Sequence, residues 1–446
     1  MKTTTGMYSY KHIWEVSYPI ILGLLAQNII NVTDTAFLGH VGEVALGAAA
    51  MGGLFYISIF TIAFGFSVGS QILIARRNGE GQYREVGPVM IQGSLFILAM
   101  ATLLFFITRA YGGYVMRFIV SSDTIFQATM EFLDWRIFGF FFSFVGVMFR
   151  ALYIGVTRTK ILTINAIVMA SVNIVLDYAL IFGRLGLPEM GIKGAALASV
   201  IAEAVSLLFL LVYTYIKIDL KKYALNKLGT IDFSLLSKIL SISCFTMLQY
   251  FLSMSTWFLF FASVERLGQR DLAIANIVRS IYVVLLIPVN SLATTANSLV
   301  SNAIGAGGIE HVMHLIYKIA RMSFIIMVVM LIPTVLFPES LLSIYTSDSS
   351  LITDSVPSVY VICFAMLIAS VANVTFNSVS GTGNTQAGLI LEFITLVFYS
   401  AYIIFIGMYV KAPIEWCFTI EILYYSLLFL TSFIYLKKAK WQNKRI

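Results

Sequence analysis

Long apolar stretches without a charged residue recur along this chain, and they constrain its fold more than any other feature. Residues 55–75 and 322–338 contain no Asp, Glu, Lys or Arg. About 20 apolar residues in a helix cross about 30 Å of hydrocarbon. The chain is 59% hydrophobic and only 11% charged, whereas a soluble domain is about 25% charged. The sequence therefore predicts an all-α polytopic membrane protein.

Turn residues and short charged runs, such as Gly79–Gly81 and Lys221–Lys222, separate twelve long, mainly apolar stretches. We expect transmembrane helices at residues 13–38, 45–74, 87–108, 133–157, 162–183, 192–217, 235–263, 271–301, 312–337, 357–381, 387–410 and 413–437. The three cysteines lie in apolar surroundings without metal-ligand spacing. We therefore expect neither a disulfide nor a cofactor.

The basic residues indicate the orientation in the membrane. Most of the 29 Lys and Arg residues fall in one set of loops and span ends, together with both termini and residues 218–234. Basic loops are retained on the cytoplasmic side. We therefore expect a multi-pass protein of the plasma (inner) membrane with both termini cytoplasmic. The net charge of +7 follows from this topology and does not indicate a nucleic-acid partner.

Motifs of the first half return in the second half at one constant offset. Gly79, Gly81 and Gly155 return 226 positions later, as Gly305, Gly307 and Gly381. Six predicted spans separate equivalent positions, so both halves enter the membrane in the same direction. We expect two six-helix lobes related as a parallel repeat, at residues 1–217 and 235–446. A cytoplasmic linker at residues 218–234 would join them.

A polar stripe marks the first predicted span. Gln27, Asn31 and Asp34 are spaced i, i+4, i+7 and share one helical face. Lipid would leave these groups without hydrogen-bond partners, so the face should meet protein or water. A charge at the centre of a spanning helix costs about 3 kcal/mol or more and is a functional hypothesis by default. Asp34 is therefore a candidate for binding a coupling ion.

A second acid lies in the fifth predicted span. Asp177 follows Asn173 by one turn on the same face, and its depth should match that of Asp34 because both spans run outward. The two carboxylates could hold Na⁺ together with the carboxamides, or they could share a proton. A structural hydrogen-bond network between helices is the alternative. The sequence leaves H⁺ and Na⁺ open.

Three further acids lie within predicted spans. Glu203 is near the middle of the sixth span, where it could relay protons, act as a countercharge to the substrate, or pair with an arginine. Glu392 and Glu421 are closer to span ends, where we expect them to reach water. Two arginines within spans, Arg150 and Arg279, have no partner that the sequence assigns.

The repeat provides a control for these acids. At the 226-residue offset, Asp34, Asp177 and Glu203 correspond to Phe260, Ile403 and Phe429. We therefore expect the ion chemistry in the first half and an apolar wall in the second. Met and aromatic side chains adapt to varied apolar ligands and attract cations. The candidates for lining a substrate cavity are Met247, Gln249, Tyr250, Met254 and Tyr282.

Several motifs together resemble the multidrug and toxic compound extrusion (MATE) transporters. They are Pro19, residues 28–39 around Asp34, residues 173–177 and residues 191–196. The resemblance covers nearly the whole chain. The first-helix acid and the Asn-x-x-x-Asp of the fifth helix are similar to the DinF-like branch. The NorM-like branch has second-lobe acids where this chain has neutral residues, around Gln249 and Ala369.

The resemblance implies an antiporter, driven by H⁺ or Na⁺, that exports drug-like and often cationic organic compounds by alternating access. Pro19 would act as a hinge, because proline leaves a backbone hydrogen bond unmade. We expect a monomer without enzymatic activity, whose partners are small organic substrates and the lipid bilayer. One alternative is a flippase for lipid-linked precursors, which would need more cavity arginines. The other is a membrane-embedded transferase, for which the four scattered histidines offer no constellation.

Overall fold

The computed structural model describes residues 9–120, 122–226, 231–439 and 441–443, and these residues are almost entirely helical. The α-helices in chain order are α1 Tyr10–Val41, α2 Glu43–Gly79, α3 Val86–Ile119, α4 Asp123–Arg136, α5 Gly139–Gly155, α6 Lys160–Ile181, α7 Ile192–Lys217, α8 Phe233–Glu265, α9 Gln269–Gly305, α10 Val312–Leu336, α11 Pro338–Leu342, α12 Ser349–Gly381, α13 Thr385–Ile403 and α14 Ile414–Lys438. A π-helical segment, Ile404–Val410, continues α13. The all-α prediction is confirmed.

Eleven helices of the described residues are long and apolar enough to cross a membrane. Helices α4 and α5 pass the same test together but are bent by 54° at a short break, and counting them as one span gives twelve. Helices suit the hydrocarbon interior of a membrane because their backbone N–H and C=O groups form hydrogen bonds within the same helix. The predicted span at 133–157 began too late, since α4 starts at Asp123. Part of the predicted linker, residues 227–230, lies outside the described residues.

The helix boundaries reproduce the repeat that the glycines indicated. α2 and α9 both contain 37 residues, and their ends differ by the same 226 positions. Gly42 and Gly268, which precede them, have φ angles of 143° and 142°, a region that only glycine adopts readily. The halves differ at the bend, because the counterpart of α4 and α5 is the single helix α12.

The described chain divides into two compact units. One, called here the N-terminal unit, is Leu22–Met247, and the other, the C-terminal unit, combines Met1–Ile21 with Leu248–Ile446. Their limits fall inside α1 and α8. The lobe boundaries predicted at residues 217 and 235 stay a prediction.

Within the N-terminal unit, α2 packs against α4 and α5, and α6 packs against α7. The first turns of α8 approach α2 closely at Gly65, where an added Cβ would lie 2.6 Å from the Cα of Met247. Thr246 uses this proximity, since its hydroxyl donates to the Gly65 carbonyl at 2.7 Å. Glycine therefore lets two backbones meet here, because any side chain would separate them.

Within the C-terminal unit, α12 packs against α9, α10 and α14. Phe260 and Ile403, the counterparts of Asp34 and Asp177, are 3% and 0% exposed and belong to its hydrophobic core. The start of α1 also belongs to this unit, and the Ser291 hydroxyl donates to the Ser17 carbonyl at 2.7 Å. The positions that carry acids in the first half are thus apolar core positions in the second.

Candidate functional site

Asp34 of α1 and Asp177 of α6 meet inside the N-terminal unit. Asp177 is completely buried and Asp34 is partly buried. Their carboxyl groups lie within hydrogen-bonding reach of each other. Two ionised carboxylates are acceptors only and repel each other, so this arrangement is favourable only with a positive charge or a proton between them.

The polar groups around this pair lack protein donors. Both carboxyl oxygens of Asp177 and one of Asp34 are buried and accept no hydrogen bond from an N–H or O–H group of the described residues. The side-chain amide of Asn173, 1% exposed and one turn from Asp177, is also without a partner there. Buried polar groups in folded proteins are normally hydrogen-bonded. Oxygen atoms left in this condition are suited to an ion or a proton.

The other residues of the predicted stripe occupy a different environment. Gln27 and Asn31 are at exposed positions of α1. The structure therefore joins Asp34 with Asp177 and Asn173 and does not bury the two carboxamides of α1 beside them. Pro19 lies inside α1, which continues without interruption from Tyr10 to Val41. Its role as a hinge stays a prediction.

Glu203 of α7 forms an ion pair with Arg136, at the end of α4. The two guanidinium–carboxylate distances are 2.6 and 3.0 Å, and the geometry is bidentate. The Tyr56 hydroxyl of α2 donates to the same carboxylate at 3.2–3.3 Å. The Arg136 guanidinium also lies 3.5 Å from the centre of the Tyr56 ring. Of the three roles left open for Glu203, the structure favours pairing with an arginine.

This ion pair adjoins the bend between α4 and α5. Arg136 is the last residue of α4, and a Cβ on Gly139, the first residue of α5, would overlap the side chains of Arg136 and Glu203. Arg136 also exerts an electrostatic attraction on Asp34. The bend thus delivers a buried positive charge to the neighbourhood of the acid pair. Sequence reasoning did not single out Arg136 and missed this contact.

The C-terminal unit contains buried acids that the sequence reasoning placed at the water interface, and that expectation is wrong. Glu421 is 6% exposed and Glu392 is 1% exposed. Tyr282 and Tyr399 donate to the two oxygens of Glu421 at 3.0 and 3.3 Å. Tyr282 is the repeat counterpart of Tyr56, so equivalent tyrosines hold a buried glutamate in each half. The 226-residue offset relates the two tyrosines but does not lead to Glu421, because the counterpart of Glu203 is Phe429.

The predicted cavity residues occupy mixed positions. Gln249 and Tyr282 are buried, whereas Met247, Tyr250 and Met254 of α8 are partly exposed. Tyr282 is bound to Glu421 and to the Tyr425 hydroxyl, the latter at 2.6 Å. A role for these five residues in binding substrate stays a prediction.

The arginines within the spans lie against aromatic rings. The Arg279 guanidinium is 5.2 Å from the centre of the Phe261 ring and 5.8 Å from that of Trp257. The Arg150 guanidinium is 4.9 Å from the centre of the Phe64 ring. Cations are attracted to the faces of aromatic rings, which accounts for charged groups in these apolar surroundings.

Eleven apolar helices and one bent helix pair among the described residues, together with a duplicated helix pattern and a buried acid pair, are typical of a polytopic membrane transporter. The MatE family model matches residues 19–179 and 243–414, which is most of the chain. The protein therefore belongs to the MatE family and is a MATE transporter. The resemblance noted from the motifs is confirmed at the level of the family, and its assignment to the DinF-like branch stays a prediction.

Individual relatives agree with this membership. A probable multidrug resistance protein NorM of Thermotoga maritima is 26% identical over 388 residues, covering 86% of this chain and 83% of the relative. The fold matches an outward-facing multidrug resistance MATE family transporter with a TM-score of 0.89, at 19% identity and full coverage of both chains. A MOP superfamily transporter from Pyrococcus furiosus matches with a TM-score of 0.87 at 19% identity, covering 98% of this chain and all of that one.

Proposed function

We propose that this protein is a cation-coupled antiporter that exports drug-like, often cationic organic compounds by alternating access, and that Asp34 and Asp177 bind the coupling ion. The observation that carries the proposal is the buried meeting of these two carboxyls without protein donors. Family membership and the multidrug resistance names of its relatives support the substrate class. Asn173 would add an amide oxygen to the site, and Gln27 and Asn31 would form a polar approach to it.

The ion must bind differently in the two conformations, since a ligand shifts an equilibrium only by its differential affinity. Binding of H⁺ or Na⁺ neutralises charge between Asp34 and Asp177 and removes their mutual repulsion. Arg136 contributes a constant attraction to Asp34 in the same region. Loss of the ion would restore the repulsion and favour separation of α1 from α6. Pro19, where α1 lacks one backbone hydrogen bond, would accommodate that movement.

The basic loops favour an inner-membrane location with both termini in the cytoplasm. We propose that the protein acts as a monomer and that its partners are small organic substrates and the lipid bilayer. The two alternative functions receive no specific support. A flippase would need exposed cavity arginines, whereas Arg150 and Arg279 lie against aromatic rings. A transferase is not favoured by membership in a transporter family.

The test uses the purified protein in proteoliposomes loaded with ethidium, under an imposed proton gradient or an imposed sodium gradient. The wild type should move ethidium under one of them, which identifies the coupling ion. Asp34→Asn and Asp177→Asn should reduce gradient-driven transport to the level of empty liposomes, while the protein stays folded. Asp134→Asn is the matched control, because Asp134 is half-exposed and pairs with Arg109 at the surface. Wild-type transport by Asp34→Asn would refute the assignment.

A further inference from the structure

Glu392 of α13 is a second buried carboxyl whose hydrogen-bonding capacity is only half used. One of its oxygens, Oε1, accepts from the Ser253 hydroxyl at 2.5 Å and from the Tyr424 hydroxyl at 2.8 Å. The other, Oε2, is buried without a donor among the described residues. Glu421 differs, because each of its oxygens accepts from a tyrosine. Glu392 therefore has one oxygen that its surroundings do not satisfy.

A second acceptor without a donor lies at the same helix interface, about one turn away from Glu392. Gln249 precedes Ser253 by one turn of α8, is 8% exposed, and its Oε1 is buried without a partner among the described residues. A Cβ on Gly388, one turn before Glu392 on α13, would lie 3.6 Å from that oxygen. The interface between α8 and α13 thus contains two unsatisfied acceptor oxygens on neighbouring turns. Buried acceptors in this condition are costly unless a donor or a cation joins them.

We propose that Glu392 is a second proton site, in the C-terminal unit, with Gln249 as the acceptor for its proton. A carboxyl protonated at Oε2 gains an O–H to donate, and an amide carbonyl accepts it. Ser253 and Tyr424 continue to donate to Oε1 and so position the carboxyl. The inference rests on the proposed function, because the proton would be exchanged during the transport cycle.

The ligand is a proton rather than a metal ion because few oxygens are available. Hard metal cations such as Ca²⁺ take six or more oxygen ligands, whereas the described residues offer two bare side-chain oxygens at this interface, from Glu392 and Gln249. A group of three or more His, Cys, Asp or Glu arranged for a metal is also absent from the described part of the chain. One donor and one acceptor are all that a proton requires.

The groups facing Glu392 are mostly neutral phenols. Tyr424 from α14 donates to it, and the ring of Tyr399 on α13 packs edge-on against that of Tyr424. Glu421, bound to Tyr399, is the next carboxyl beyond them. The described residues place no Lys or Arg in an ion pair with Glu392. The carboxyl thus lacks a permanent countercharge of the kind that Arg136 provides elsewhere.

The test measures protons released when a substrate binds. The purified full-length protein is placed in weakly buffered detergent solution with a pH indicator dye, and tetraphenylphosphonium is added. The wild type should release a proton from Glu392 and, from the Asp34–Asp177 pair, either a second proton or a sodium ion that ²²Na⁺ detects. Glu392→Gln and Asp34→Asn should each lose part of the release, and the double variant should lose all of it. Glu421→Gln is the matched control, a buried carboxyl with both oxygens satisfied, and it should release as many protons as the wild type.

The outcomes separate the two proposals. Proton release by Glu392→Gln equal to that of the wild type would overturn the second site. Glu392 would then only link α13 to α8 and α14 by hydrogen bonds. Complete loss in Asp34→Asn would overturn the second site as well. If Glu392→Gln lost a release of sodium, measured with ²²Na⁺, and not a release of protons, the choice of the proton as ligand would be overturned. Wild-type release of both protons and ²²Na⁺ by Asp34→Asn and Asp177→Asn would instead refute the proposed function of that pair.

A spectroscopic measurement covers the case in which Glu392→Gln does not fold. Tyr424→Phe retains the carboxyl and removes one of the two donors to Oε1. In infrared difference spectra between low and high pH, the carboxylic C=O band of a protonated Glu392 should shift in this variant without disappearing. An unshifted set of carboxylic bands in Tyr424→Phe would contradict protonation of Glu392.

Discussion

Removing the charge of Glu203 provides the most direct test of the packing inside the N-terminal unit. The side chains of Arg136 and Glu203 are only 13% and 9% exposed, and their contact is bidentate. Removing one partner of a buried pair costs about 3–5 kcal/mol, because the other charge is left uncompensated. The Tyr56 ring remains over the guanidinium and retains up to about 2 kcal/mol of attraction. Glu203→Gln should therefore lower the free energy of unfolding by about 3 kcal/mol.

The assay is thermal unfolding of the purified protein in detergent, followed by intrinsic fluorescence. For a unit of about 200 residues, 1 kcal/mol corresponds to about 2–4 °C in midpoint, so the expected loss is on the order of 6–12 °C. Asp134→Asn is the control. It breaks the pair with Arg109, whose side chains are 59% and 49% exposed. Exposed pairs contribute about 0–1 kcal/mol.

A double variant distinguishes loss of the pair from unrelated damage. Arg136→Gln combined with Glu203→Gln should cost less than the sum of the single changes, with an interaction energy of at least about 1 kcal/mol. The reasoning fails if Glu203→Gln unfolds at the same temperature as Asp134→Asn. It also fails if the two single changes are additive, because the side chains would then not be coupled.

Two further predictions concern helix packing and helix capping. Gly65→Ala should destabilise the protein by about 1–3 kcal/mol, since its Cβ would meet the α8 backbone at 2.6 Å. Gly53→Ala on the same helix has nothing within 4 Å and should be neutral or stabilising by up to about 1 kcal/mol; equal thermal midpoints would contradict the close contact. The backbone N–H groups of Leu351 and Ser350 donate hydrogen bonds to the side chain of Asp348. These bonds hold the pKa of this loop carboxyl below its usual 3.8. Because the pKa of this carboxyl is lower in the folded protein than in the unfolded protein, the ionised carboxylate stabilises the fold at any pH above the unfolded-state pKa. This stabilisation is lost as the pH falls and the carboxylate is protonated. Asp348→Ala should therefore unfold at a lower temperature than the wild type at neutral pH, and the difference should shrink below pH 3.8; a difference independent of pH would refute this.

The repeat shows how far a local pattern can be followed from sequence. Glycines at one offset predicted equivalent loops, and the structure places helix ends at the same offset, with α2 and α9 equal in length. Such positions are predictable because a positive φ angle or a close backbone approach admits glycine and little else. The bend between α4 and α5 was not predictable in this way. Its sequence contains no proline, and its counterpart in α12 is continuous.

The acids show where local reasoning failed. The structure places the carboxyls of Asp34 and Asp177 within reach of each other, as their expected similar depth had suggested, and their binding of an ion stays a prediction. Glu392 and Glu421 were placed near water by their positions along the spans, yet both are buried. Depth along one helix does not reveal which neighbouring helix covers a side chain. The tyrosines and the serine that bond to these acids come from other helices, some adjacent along the chain and some distant.

The sequence by itself determined the membrane class, the all-helical fold, the duplicated halves and the family. These properties depend on apolar length, on glycine spacing and on short motifs, all of which are local along the chain. The tertiary structure alone decided which charges are compensated. Arg136 meets Glu203 across 67 positions, whereas the hydrogen bonds to Glu392 from the described residues come from hydroxyls of α8 and α14. The physical reason is that a buried charge depends on partners brought by other helices, and packing rather than local sequence selects those partners.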